Sequence, residues 1–176
     1  DVIDYGVKLR RFDPQATLDR LAARGGLDAA LIDALADAVA RFHAEAPPAG
    51  AGYGEPATVE RWALENFASM RPHVQAAADR ARLDALEAWT RSELAALRST
   101  MASRAQSGRV RECHGDLHLG NIVMIADRPV AFDAIEFNAE LRCIDVMSDV
   151  AFTFMDLLDH GLPRQAWRFV SAYLES

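Results

Sequence analysis

His114-Gly115-Asp116-Leu117-His118-Leu119-Gly120-Asn121, followed downstream by Phe132-Asp133, is the stretch from which the rest of the chain can be read. It is a polar loop between two β-type runs, Val110-Arg111-Glu112-Cys113-His114 and Asn121-Ile122-Val123-Met124-Ile125. It carries a carboxylate at Asp116 and an amide at Asn121. A third run, Pro129-Val130-Ala131-Phe132-Asp133, ends on a second carboxylate, and Ala126-Asp127-Arg128 between the last two runs predicts a hairpin. Loops set on rigid strands are where reacting groups tend to sit. The bland alternative is an ordinary solvated loop. A second carboxylate at the end of the hairpin, 17 residues after Asp116, weighs against it.

Outward from this loop the chain reads as helix. Upstream, Leu83, Leu86, Leu94, Leu97 and Met101 recur at helical spacing, predicting one long helix over about 82–105 that Gly108 ends. Thr58–Met70 predicts another, with Pro72 interrupting it. Residues 46–57 hold three prolines and three glycines and must loop. Leu31, Leu35, Val39 and Phe42 predict the buried stripe of a helix over 28–46, with His43 as a packing or capping residue. Asp13-Pro14 predicts a helix start that Gly25-Gly26 terminates. Val2–Arg10, rich in β-branched and aromatic residues, reads as a short strand. Downstream of Leu141 the chain is helical again, broken at Gly161 and restarted at Pro163. Trp62, Trp89 and Trp167 fall on helical stripes and are expected in the core. The order strand, helices, small strands, helices makes the fold α+β and mainly helical.

Composition limits the function. With 176 residues and 51% hydrophobic content the chain can bury a core, and disorder is excluded. A net charge of −7 argues against nucleic acid as partner, since such affinity comes largely from neutralising phosphates. No apolar run approaches the roughly 20 residues that span a bilayer, so no membrane association is expected. The start, DVIDYGVKLRRF, lacks a basic segment followed by an apolar one. Cys113 and Cys143 lie in apolar contexts without metal-ligand spacing. Two buried, reduced thiols in the cytoplasm are expected.

The spacing H-x-D-x-x-x-x-N is that of the kinase catalytic loop, where the aspartate takes the substrate hydroxyl's proton and the asparagine binds magnesium. A further aspartate after a short hairpin holds Mg²⁺ against the phosphates, a position that Asp133 matches. HGDLHLGN…FDAIEF resembles the aminoglycoside phosphotransferase-like branch of the protein-kinase-like fold, which carries H-G-D in place of H-R-D. The longer string from Glu112 to Phe152 is similar to bacterial bifunctional proteins in which such a region precedes a P-loop ATPase region. The resemblance implies roles position by position. Asp116 and His114 are the catalytic residues, the aspartate as base and the histidine as a brace of the loop. Asn121 and Asp133 are the Mg²⁺ ligands. Asp149 is the buried aspartate that hydrogen-bonds the loop from a helix start. Tyr5, Val7, His118 and Asn121 contact ATP. Glu136 and Asp156, with Glu140 and Asp159 nearby, are candidate acids for a cationic hydroxyl substrate, although a solvated face is the plainer reading.

Two departures matter. Asp133 is followed by Ala134-Ile135-Glu136, without the glycine of a D-F-G turn, and nothing resembles a glycine-rich strand pair with its lysine. Lys8 is better read as a hinge or surface lysine, because residues 13–107 show helices where further strands would be needed. The expectation is therefore the C-terminal large lobe alone. Residues 1–12 would be the last small-lobe strand and hinge, and 13–176 the helical lobe with its catalytic loop at 112–136 and its small hairpin. The function implied is ATP- and Mg²⁺-dependent phosphotransfer to a small molecule, with a fused or partner ATPase region. The alternative is a non-catalytic, nucleotide-sensing module. Gly115–His118 also matches a metallophosphohydrolase fragment, but the remaining ligands of a two-metal cage are missing.

Overall fold

A computed structural model describes residues 11–176. The expectations for Tyr5, Val7, Lys8 and the strand at Val2–Arg10 lie outside the described residues. The chain is mainly helical, with two small antiparallel strand pairs, and it divides into two compact units.

The first unit comprises the described residues up to Ala44, together with Asp116–Ala134 and Val150–Ser176. Asp13 caps a 3-10 turn at Pro14–Ala16 by accepting from Gln15 N–H at 2.9 Å. The helix α1 (Leu18–Ala23) follows, and the chain turns at Gly25 with φ 72°. The next helix, α2 (Ala29–Glu45), buries Ile32, Leu35, Ala36, Val39 and His43. Phe42 is 38% exposed, so the buried stripe sits one residue around from the predicted one, with His43 on it. The physical reason is a polar tether: His43 Nδ1 lies 2.9 Å from the Tyr173 hydroxyl of α7 (Pro163–Glu175). Arg168 of α7 grips Asp33 of α2 through two N–H donors at 2.7 and 2.5 Å, which holds the Asp33 carboxyl below its ordinary value. The hairpin of β2 (Ile122–Ile125) and β3 (Arg128–Ala131) lies against the chain start through a Thr17–Val123 bridge and a Phe12–Phe132 ring contact at 4.9 Å. Its turn is the two-residue Ala126-Asp127, both left-handed at φ 49° and 59°, rather than three residues. Primed two-residue turns match the twist of paired strands, which favours the tighter connection.

The second unit comprises Glu45–Gly115 and Ile135–Asp149. Helix α3 (Pro56–Met70) packs on α4 (Ala77–Gln106). At 1.5 Å per residue α4 runs about 45 Å and α3 about 22 Å, so α4 outruns its partner. Leu86, Trp89 and Leu97 are nevertheless 49%, 60% and 47% exposed, although they lie in the stretch bridged to α3 by Arg71–Asp84 and Arg98–Glu60. They occupy faces of α4 that α3 does not cover, and Leu83 is the residue α4 buries. Trp167 of α7 is likewise 64% exposed, because Ala166 and Phe169 set that helix's inward face. Strand β1 (Val110–Glu112) pairs antiparallel with β4 (Cys143–Asp145), which follows the short α5 (Ala139–Arg142) and leads into α6 (Val146–Asp159). Arg104 fixes this pair by a two-pronged contact to Asp145 at 2.6 and 2.8 Å. Cys113 and Cys143 are both buried free thiols. No described helix is long and apolar enough to cross a membrane.

Candidate active site

The loop after Gly115 alternates. Leu117, Leu119 and Asn121 are buried, whereas Asp116, His118 and Gly120 are partly exposed. The leucines act as anchors, both at 0% exposure, and turn the residues between them outward. Two further tethers fix the backbone within the first unit. Thr153 of α6 donates its hydroxyl to the Leu117 carbonyl at 2.7 Å, and Asp156 accepts the Leu119 N–H at 2.7 Å. A 3-10 turn at Leu119–Asn121 then brings Asn121 back under Asp116. Its Nδ2 donates to the Asp116 carbonyl at 3.0 Å and to Asp116 Oδ2 at 3.2 Å. His118 caps that turn, its Nδ1 accepting the Gly120 N–H at 3.1 Å, and its Nε2 lies 3.6 Å from Asp116 Oδ2.

Asp133 follows the hairpin that starts from Asn121. Ile122 pairs with Ala131, and one step on Phe132 N–H donates to the Asn121 carbonyl at 2.9 Å. Asp133 is the next residue after that rung. It is exposed and sits in the left-handed region at φ 61°. Such a conformation costs a non-glycine residue about 1–3 kcal/mol and persists where the surroundings enforce it. Asn121 spends its Nδ2 on Asp116, which leaves its amide oxygen to act as a ligand atom. Oxygen donors of this kind suit a hard cation such as Mg²⁺.

In the second unit, Asp149 is fully buried and accepts two backbone N–H groups, His114 at 2.7 Å and Gly115 at 2.9 Å. The His114 carbonyl accepts from Ile135 N–H at 3.0 Å. Gly115 has φ 84°, and a Cβ there would lie 2.6 Å from the Leu141 carbonyl oxygen, so the position takes glycine alone. Burial pushes the Cys113 thiol up to about 12, with the Asp149 charge adding to the rise.

The predicted residues thus fall into groups. Asp116, His118 and Asn121 meet within one turn, and Asp133 follows Phe132, whose N–H is bonded to the Asn121 carbonyl. His114 and Asp149 meet through the backbone. Asp156, read from the sequence as a substrate acid, has one oxygen on the Leu119 N–H and the other 3.8 Å from His160 Nε2. Glu140 pairs with Arg61 at 2.7 Å. The Glu136 side chain is exposed, and its carbonyl accepts from Arg142 at 3.2 Å. The sequence reading missed the tethers of Thr153 and Asp156; with Asp149 they recur at i, i+4 and i+7 along α6, which was the available signal.

The model of the phosphotransferase enzyme family matches residues 4–175. The chain belongs to that family. This phosphotransferase-family chain is 29% identical over 153 residues to the uncharacterized proteins Mb2027c of Mycobacterium bovis and Rv2004c of Mycobacterium tuberculosis. The alignment takes in 86% of this chain and 31% of each relative, so the chain spans about a third of the length of the curated relatives it matches. No solved structure matches it.

Proposed function

We propose that the chain forms the large lobe of an ATP-dependent kinase that phosphorylates a hydroxyl of a small molecule in the cytoplasm. The observation that carries this reading is the double donation from Asn121 Nδ2 to the carbonyl and carboxylate of Asp116, which draws both motif residues into one turn. Asp116 orients the acceptor hydroxyl and takes its proton as the oxygen bonds to the γ-phosphorus and the bridge to ADP breaks. Asn121 Oδ1 and the Asp133 carboxylate hold Mg²⁺, which supplies charge neutralisation on the phosphoryl oxygens. His114 and Asp149 keep the loop's entry fixed, Tyr5 and Val7 contact the nucleotide, and Glu136 faces a cationic acceptor. A P-loop ATPase region, fused or separate, accompanies the lobe, in keeping with relatives about three times its length.

Calorimetry of Mg-ATP binding tests the division of labour. A metal ligand acts in the bound ground state, whereas a base acts mainly in the transition state. Asp133→Ala is expected to weaken binding at least tenfold, and Asp116→Ala to leave it within about threefold while abolishing turnover. Equal losses of binding from both substitutions would refute the assignment. These measurements use the lobe-complete protein, since the isolated lobe is expected to be inactive; binding without turnover there would turn the reading into nucleotide sensing.

A further inference from the structure

We propose that His118 is a positioning residue for Asp116, held in the tautomer that carries its proton on Nε2, and that Gly120 is glycine to make room for it. The inference deepens the phosphotransfer reading and rests on it for the role of Asp116. Three observations within residues 116–121 carry it.

First, His118 Nδ1 accepts a hydrogen bond from the Gly120 backbone N–H at 3.1 Å. A ring nitrogen that accepts cannot carry a proton, so in the neutral imidazole the proton is on Nε2. Second, that Nε2 lies 3.6 Å from Asp116 Oδ2, the same oxygen that receives Asn121 Nδ2 at 3.2 Å. Asn121, five residues downstream, therefore holds this carboxylate oxygen by a hydrogen bond, and His118, two residues downstream, faces the same oxygen with its Nε2. At 3.6 Å the histidine is outside hydrogen-bond range; such contacts commonly tighten when substrate binds. Third, a Cβ on residue 120 would lie 2.8 Å from His118 Cε1 and 3.0 Å from Nδ1. Gly120 has no left-handed φ to demand glycine. What excludes a side chain there is the imidazole itself.

The capping and positioning roles of His118 separate by substitution. Asparagine has an acceptor where Nδ1 stands and caps the turn, but its amide stops short of Nε2. Glutamine extends a donor to about the Nε2 position and caps poorly. The test uses the full-length, lobe-complete protein with Mg-ATP hydrolysis as the turnover probe and the His118 ring nitrogens observed by long-range ¹H–¹⁵N NMR above the histidine titration range. The parent is expected to show a protonated Nε2 and an accepting Nδ1. Asp116→Asn is expected to move the Nε2 resonance, which a purely capping histidine would not report. Gly120→Ala is expected to disperse the single-tautomer signature. His118→Asn is expected to melt with the parent yet lose about tenfold to a hundredfold in kcat, which His118→Gln partly restores. A proton on Nδ1 in the parent, an Nε2 resonance indifferent to Asp116→Asn, or unchanged kcat in His118→Asn would each overturn the proposal. Mg-ATP turnover that survives Asp116→Asn would instead refute the phosphotransfer reading, leaving the histidine to be judged by its resonances.

Discussion

Replacing Asp149 should cost more stability than any other single polar change in the second unit. Its carboxylate is 0% exposed and accepts the His114 and Gly115 N–H groups at 2.7 and 2.9 Å. Hydrogen bonds to a charged group contribute about 1.5–3 kcal/mol each, and a buried donor left without a partner carries a penalty of about 1–3 kcal/mol. Asp149→Ala strands both donors, so a loss of about 3–5 kcal/mol is expected, a large share of the roughly 5–15 kcal/mol that stabilises a typical fold. Asp149→Asn keeps one acceptor oxygen but turns an NH₂ toward the second N–H, and should cost about 2–3 kcal/mol. For a chain of this size each kcal/mol moves Tm by about 2–4 °C, which puts the alanine variant about 6–20 °C below the parent. Urea unfolding of parent, Asn and Ala variants, followed by far-UV circular dichroism, measures the series. Amide exchange at His114 and Gly115 should accelerate in the same order. A cost under about 1 kcal/mol for Ala, or a larger cost for Asn than for Ala, would refute the reasoning.

Gly115→Ala combines a left-handed backbone with a backbone clash at the Leu141 carbonyl; a loss of about 2–4 kcal/mol in urea unfolding is expected, and a loss under about 0.5 kcal/mol would contradict the geometry. Cys113 should resist iodoacetamide at neutral pH in the folded chain and react on denaturation, because the thiolate is the nucleophile. The sign of the linked pH effect follows from the same burial: the unfolded thiol ionises near its ordinary 9.0 while the folded one keeps its proton to about 12, so the fold binds more protons and loses stability as pH rises through that window. Cys113→Ala should flatten this loss relative to the parent in urea titrations on either side of 9.0.

What the sequence made legible was local. Asp116 and Asn121 are five residues apart, so the spacing singled out both, while their contact through one short turn is visible only in the structure. The hairpin was legible because β-type runs flank a tight connection, although its two left-handed residues, Ala126 and Asp127, are not the glycine or asparagine that announce such turns. Helix faces were less legible. The leucines of α4 repeat at helical spacing, yet which of them is covered depends on the one face that α3 packs against. Trp89 and Trp167 show the same limit, since hydrophobicity states a preference for burial and the neighbouring helix decides it. Thr153 and Asp156 were hardest to see, because they bind backbone atoms of Leu117 and Leu119, and a backbone atom leaves no mark in the residue types of the loop.

The alternation of residues 116–121 gives neighbouring positions unequal freedom to vary. Leu117 and Leu119 fill the interior, so a change there is paid in folding before it reaches chemistry. Asp116 and His118 project from a loop whose course is set by main-chain tethers, so a change there alters what an incoming molecule meets while the scaffold stands. Mutational drift can therefore silence or redirect such a loop in a single step without passing through an unfolded intermediate. Descendants that have given up turnover would keep the same shape and the same leucines, and would be told apart by two or three side chains alone.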